Sequence, residues 1–198
     1  MLISNKFHIE CDTLLLSVGL IPENELSRKA GVAISPNTNG PIVDYHLQTS
    51  VPGIFACGNV LHVHDLVDYV SEESENCGKN VITYLRENDT STLLSVDVQA
   101  GANLRYVIPN NCAVHKKQHF YMRAMIIADI AELEVRQNET VVCSRKLFHV
   151  RPAEMISFDL TDKESAKMVE NVPVEIRLTT PNPHSRASVQ ASFERRGA

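Results

Sequence analysis

Gly58 and Asn59, followed closely by His62, His64 and Asp65, are the residues of this 198-residue chain whose types and spacing bear most directly on chemistry. A glycine lets the backbone turn sharply and approach a ligand closely. The asparagine beside it offers one acceptor oxygen and two donor hydrogens. His62 and His64 stand two positions apart, so on an extended backbone both imidazoles project from one face. Such a pair can shuttle protons or contact a substrate near neutral pH. Together with Asp65 it could also hold a metal, but no further ligand is identifiable in the sequence, so no metal is assigned. Plain turn or capping roles stay open for Asn59 and for both histidines.

The five cysteines, at positions 11, 57, 77, 112 and 143, are odd in number and form no Cys-x-x-Cys pair. A disulfide framework and a thiolate zinc site are therefore not expected, and a reducing cytoplasm is the expected compartment. Cys57 reads as a small buried residue beneath a strand. The run His115-Lys116-Lys117-Gln118-His119 reads as a solvated loop, with a docking patch for an acidic partner as the alternative.

Several elements must position these side chains. Val51-Pro52-Gly53 is a turn signal, and it feeds a short apolar strand from Ile54 to Ala56. Gly58 ends that strand, with Asn59 just past its tip. Upstream, Leu14 to Val18 is an apolar run too short for a helix, as in a strand buried on both faces, and Gly19 and Pro22 stop it. Downstream, Val67, Val70, Ser74, Cys77, Val81 and Tyr84-Leu85 recur at helical spacing, which predicts an amphipathic helix over Val67 to Leu85. Asp65 is the expected N-cap, and Asp68 in the first turn complements the helix dipole. Strand, glycine, polar residue, helix is how an α/β sheet presents a side chain at its carboxyl edge.

Two stretches resemble a known family. Thr49 to Val60, with Ile54, Phe55, Ala56, Gly58 and Asn59, is similar to the second flavin-binding motif of the thioredoxin reductase and pyridine nucleotide-disulphide reductase group. Cys11 to Asn24, with Asp12, Gly19 and Pro22, resembles the family's return from its NAD domain to its FAD domain. The resemblance covers roughly residues 10–87. It implies an FAD-dependent, NAD(P)H-linked oxidoreductase in which hydride passes between nicotinamide and flavin, and then to a substrate or partner protein. It assigns Gly58, Asn59, Val60, Asp65 and Leu66 to cofactor binding and places His62 and His64 on the flavin or substrate side. The family has an aspartate where this chain has Asn59, so the acceptor oxygen is kept and the charge is lost.

None of the eight glycines falls in a G-x-G-x-x-G arrangement, the fingerprint that places a cofactor pyrophosphate on a helix N-terminus. The expectation is a C-terminal portion of a larger flavoprotein, catalytically incomplete and binding FAD weakly by itself. Residues 1–10 then read as the last hairpin of a truncated NAD domain, turning at Asn5-Lys6. The expected partners are the missing N-terminal part of the same protein or a complementing subunit. Self-association through unpaired strand edges is also expected.

Beyond the polar stretch Arg86 to Thr92, read as a linker, apolar residues alternate with a period of two. Segments at Leu94–Val98, Leu104–Ile108, Phe120–Ile126, Leu133–Arg136, Thr140–Cys143, Phe148–Val150, Met155–Leu160 and Val174–Leu178 suggest the strands of a β-sandwich. Its expected core is Val96, Val107, Met122, Ile126, Val135, Val142, Phe148, Ile156, Phe158 and Ile176. The fold class is thus an α/β remnant of an FAD-binding, Rossmann-like domain (1–90), followed by an all-β sandwich-like domain with a loose tail (91–198). A net charge of −5 with no basic stripe argues against nucleic acid, and the apolar runs are too short for a membrane span. The competing function is non-enzymatic, a β-sandwich interaction or subunit-docking module.

Overall fold

The computed structural model describes residues 8–15, 19–87 and 94–180. The start of the proposed first hairpin, Leu16 to Val18, most of the linker and the tail lie outside the described residues. The order of elements is a short helix α1 (Glu25–Lys29), a 3₁₀ turn (Gly58–Val60), the long helix α2 (Val67–Glu87), strands β1 (Ser95–Ala100) through β7 (Met155–Leu160), a helical turn α3 (Asp162–Ser165) and strand β8 (Val174–Thr179). Between β1 and β7 come β2 (Leu104–Ile108), β3 (Asn111–Ala113), β4 (Gln118–Ala124), β5 (Ala128–Gln137) and β6 (Thr140–Val150).

The N-terminal part holds less regular structure than the sequence predicts. Ile54 to Ala56 is not a strand; Phe55 makes a single antiparallel bridge to Gln48, and further bridges join Ile34 to Pro41 and Val43 to Thr49. Leu14 and Leu15 lie in irregular backbone and are 73% and 90% exposed. The physical reason is common to both segments. A short apolar strand is stable only between neighbours; among the described residues Ile54 to Ala56 has only the short segment Leu47 to Thr49 beside it, and no strand pairs with Leu14 and Leu15. Leu20, Ile21 and Leu26 are exposed as well.

Helix α2 forms over the predicted span, but its inward stripe differs from the expected one. Glu73 and Cys77 are buried and Val70 and Val81 partly so, whereas Val67, Ser74 and Leu85 face water. The buried line therefore runs 70, 73, 77, 81 and passes through a carboxylate. Among the described residues, no helix is long and apolar enough to cross a membrane.

The C-terminal part is mostly β. Five strands pair in the order β3-β1-β8-β5-β6 and three in the order β2-β4-β7. One pairing, β1 with β8, is parallel. The expected segments at Thr140 and Phe148 are one continuous strand, β6, joined to β5 by a two-residue turn at Asn138-Glu139 in which Asn138 adopts positive φ. β3 has no counterpart in the sequence reading. Both sheets feed one apolar core, which contains Val96, Val107, Met122, Val135, Val142, Phe158 and Ile176, with Ile126 and Ile156 packed against it. Phe148 is not in it. On the edge strand β6 the partly buried side chains beside it are Arg145 and Leu147, so Phe148 lies on the opposite face, with Lys146 over its ring.

The three-stranded sheet buries side chains on both faces, and this positions the site. On β4, Phe120, Met122 and Ala124 enter the β core, while His119, Tyr121 and Arg123 project to the other side. On β2 the register slips between Leu104 and Tyr106. The slip lets Leu104 and Val107 join the β core while Tyr106 and Ile108 join a second cluster with Val43, Leu47, Ala56, Leu61 and Cys77. The N-terminal part is thus seated on the outer face of the smaller sheet. Backbone and side-chain hydrogen bonds lock the seat: Asn110 N–H to the Val43 carbonyl, Val43 N–H to Asn110 Oδ1 and Tyr45 N–H to Asn111 Oδ1.

A second lock holds the 58–62 segment. Buried Asn24 donates through Nδ2 to the carbonyls of Asn39 and Val60. Next to Asn39, Gly40 lies so close to Leu61 that an added Cβ would fall on the Leu61 carbonyl. Gly40→Ala should therefore destabilise the protein by about 1–3 kcal/mol, the usual cost of overpacking. Gly78→Ala, within α2 and with no atom within 4 Å of the added carbon, should instead stabilise by about 0.5–1 kcal/mol. Denaturant midpoints of the two variants check the contrast, and equal shifts would show that the Gly40–Leu61 contact does not constrain the fold.

Candidate functional site

Gly58 turns the chain with φ of +67° and starts the 3₁₀ turn, and the N–H groups of Leu61 and His62 both return to its carbonyl. That reversal sends Leu61 and His62 inward and leaves Asn59 at the surface. Asn59 Oδ1 accepts the His64 N–H at 3.1 Å, which fixes the next bend and turns His64 inward too. The two imidazoles, predicted to share a face, do so: their centroids are 4.2 Å apart.

Both rings meet Glu73 from α2. His62 Nε2 lies 2.9 Å from Glu73 Oε1 and His64 Nε2 lies 3.2 Å from Glu73 Oε2. The Gly58 N–H donates to Oε2 at 2.5 Å. All three side chains are out of water; those of the histidines are 0% exposed and that of Glu73 is 2% exposed. Burial opposes ionisation of Glu73, but the hydrogen bonds from His62, His64 and Gly58 outweigh it and hold the carboxyl at about 2. Burial pushes His62 below its ordinary value against the pull of Glu73. Neither Nδ1 atom has a hydrogen-bond partner.

The sheet covers the rings from the other side. Tyr121 of β4 stands edge-on to His64 at 5.1 Å between centroids and tilted to His62 at 5.6 Å. Its hydroxyl points to Glu72, and burial with the two nearby glutamates pushes the phenol up. Arg123 on the same strand joins the parts. Its guanidinium donates to the Val63 carbonyl, to Asp65 Oδ1, and to the carbonyls of Pro152 and Ala153. Asp65 also accepts the Met155 N–H. It is committed to these contacts, two positions ahead of the helix start, and does not serve as the expected N-cap.

Residues 1–83 match the family model described as pyridine nucleotide-disulphide oxidoreductase. Over that segment the chain is similar to this family. The nitric oxide reductase FlRd-NAD(+) reductases of Salmonella paratyphi B and Salmonella heidelberg are each 42% identical to it over 63 residues, 32% of this chain and 16% of each relative. The corresponding protein of Salmonella agona is 38% identical over 65 residues, 33% of this chain and 16% of the relative. The chain therefore spans about one-sixth of the length of the curated relatives it matches. No solved structure matches it.

Within the family segment, the residues singled out for cofactor binding separate into two groups. Asn59, Asp65 and Leu66 are exposed, Val60 is half-buried and Gly58 is buried at the turn. His62 and His64 form an inward group with Glu73. Sequence reasoning missed Glu73, although a signal was present: a carboxylate three residues after Val70 and four before Cys77 lies on the helix stripe those two define. Tyr121 and Arg123 had no local signal, because only sheet pairing brings them to the loop.

Cys57 is not the inert residue expected. It is half-buried, and Cys77, twenty residues on, lies against it. The Cys77 thiol donates to the Cys57 sulfur; this lowers Cys57 to about 6 and pushes Cys77 up. Burial raises Cys112 to about 12 and Cys143 to about 11. The thiolate is the reactive form, and a depressed folded-state value populates it above about pH 6. In a Cys11→Ser background, alkylation should therefore label Cys57 first. Its rate should rise through pH 6 and level off by about pH 8, where an ordinary thiol is still climbing. Cys77→Ala removes the donor and should move the profile upward. Peptide mapping of the labelled protein reads both outcomes, and a Cys57 profile that ignores Cys77→Ala would separate the two sulfurs.

Proposed function

We propose that this chain is the C-terminal part of an FAD-dependent, NAD(P)H-linked oxidoreductase, incomplete as a catalyst by itself and acting in a reducing cytoplasm. The observation that carries this reading is the exposed Asn59 on the Gly58 turn, inside a segment of the pyridine nucleotide-disulphide oxidoreductase family. Residues of this chain suit the flavin end of FAD. Gly58 gives a close turn, and Asn59 keeps its Nδ2 group at the surface while its Oδ1 holds His64. Val60, Asp65 and Leu66 lie between that turn and the start of α2, whose N-terminal dipole favours negative charge nearby. No residue pattern here suits the pyrophosphate, since the glycine fingerprint is absent from the sequence.

When bound, FAD supplies two-electron chemistry between a nicotinamide and an acceptor. The chain's own contribution is positional. Glu73 and the two histidines hold the turn that carries Asn59, and Arg123 ties the following loop to the sheet. His62 and His64 act through that turn, from inside the protein. The exposed Leu14, Leu15, Leu20, Ile21, Val67 and Leu85 support a missing neighbour, either the N-terminal part of the same protein or a complementing subunit. Residues 94–180, which carry the two sheets, take the docking role as a sandwich-like second domain.

The test uses the protein of the longer reading frame. Asn59→Asp should retain flavin, and Asn59→Leu should weaken it by roughly 1–3 kcal/mol, about 5- to 150-fold in the dissociation constant, because a flavin hydroxyl is left unpaired. Fluorescence titration of the apoprotein with FAD measures both. Equal constants for wild type and Asn59→Leu would remove Asn59 from the flavin site and favour the docking-module reading.

A further inference from the structure

We propose that His62, His64 and Glu73 form a binding site for one divalent transition-metal ion of the zinc class. The inference does not depend on the flavin reading. Each side chain offers one ligand atom, and these atoms all lie within 4.8 Å of one another. The carboxylate reaches across both rings, one oxygen to each Nε2, at 2.9 and 3.2 Å. Ligands about 2.0–2.2 Å from one tetrahedral zinc stand roughly 3.3–3.6 Å apart, so each nitrogen–oxygen pair needs to open by only a few tenths of an ångström to admit the ion. Two imidazoles and one carboxylate suit zinc and its neighbours; calcium and magnesium prefer all-oxygen sets.

Three further observations favour an ion. First, Glu73 is buried, yet among the described residues no lysine or arginine pairs with it. Its partners are two imidazoles and one backbone N–H, and a buried carboxylate is best served by a full positive charge. Second, no protein group donates to either Nδ1. Each Nδ1 is therefore free to take up the ring proton that Nε2 now gives to Glu73, which leaves the Nε2 lone pair for a cation that replaces that hydrogen bond. Third, the cluster stands between two surface clefts, one lined by Glu73, His119 and Tyr121 and the other by His62, Tyr106 and Arg123. With three protein ligands a fourth position is left for water or a substrate atom, the arrangement of reactive rather than purely structural zinc sites.

The test uses the 198-residue chain, stripped with chelator and titrated with Co²⁺ while its visible bands are recorded, then with Zn²⁺. One Co²⁺ per chain with the strong absorption of a four-coordinate ion, displaced by equimolar Zn²⁺, is expected. X-ray absorption of the zinc form should show two imidazole nitrogens. Glu73→Gln and His64→Ala should each weaken binding by about tenfold or more, since even outer partners of metal sites are worth that much. His149→Ala, at an exposed histidine, should not. Weak uptake of several ions that is equal in all variants overturns the proposal. So does a zinc spectrum with fewer than two imidazoles, which needs no variant and stands even where a variant fails to fold.

Discussion

A single buried carboxylate organises the N-terminal part of this protein. Glu73 is held by three donors that come from two places, the Gly58 amide at one end of a tight turn and the two imidazoles just beyond it. Removing any one leaves a charge in a dry environment, which is far costlier than losing an exposed hydrogen bond. The turn, the bend at His64 and the placement of α2 are therefore one interaction. Asn59 owes its surface position to it, because the same reversal that drives Leu61 and the histidines inward pushes Asn59 out.

The seat for this arrangement is the outer face of a small sheet. Alternation along β4 gives one set of side chains to the β core and the other to the loop and helix. The slip in β2 does the same for Tyr106 and Ile108. Because both faces carry buried side chains, the three-stranded sheet is covered on both sides. The two parts of the chain share apolar surface and several hydrogen bonds to the backbone.

What the sequence disclosed follows from how local each cause is. Helix α2 and most strands were legible because spacing within a few residues sets them. Asn59 and the shared face of His62 and His64 were legible because a glycine turn and a two-residue interval are local facts. The strand at Ile54 failed because a strand exists only through its neighbours. Phe148 was placed in the core although the parity of an edge strand turns it outward. Glu73 was not legible because Ser74 fits the spacing from Val70 and Cys77 equally well, and a carboxylate on a helix reads as solvent-facing. Tyr121 and Arg123 sit almost fifty or more residues from the loop and helix groups they touch, and only the pairing of β4 brings them there.

Arg123 and Asp65 make one backbone proton unusually informative. The Met155 amide sits at the first position of β7, where it meets a carboxylate that the loop before α2 supplies. That carboxylate is gripped at the same time by Arg123 from the neighbouring strand. Exchange of this amide with solvent deuterium thus reports how often Asp65 leaves it, a release that Arg123 opposes. A single hydrogen then serves as a gauge of how firmly the turn carrying Asn59 is clamped to the β unit.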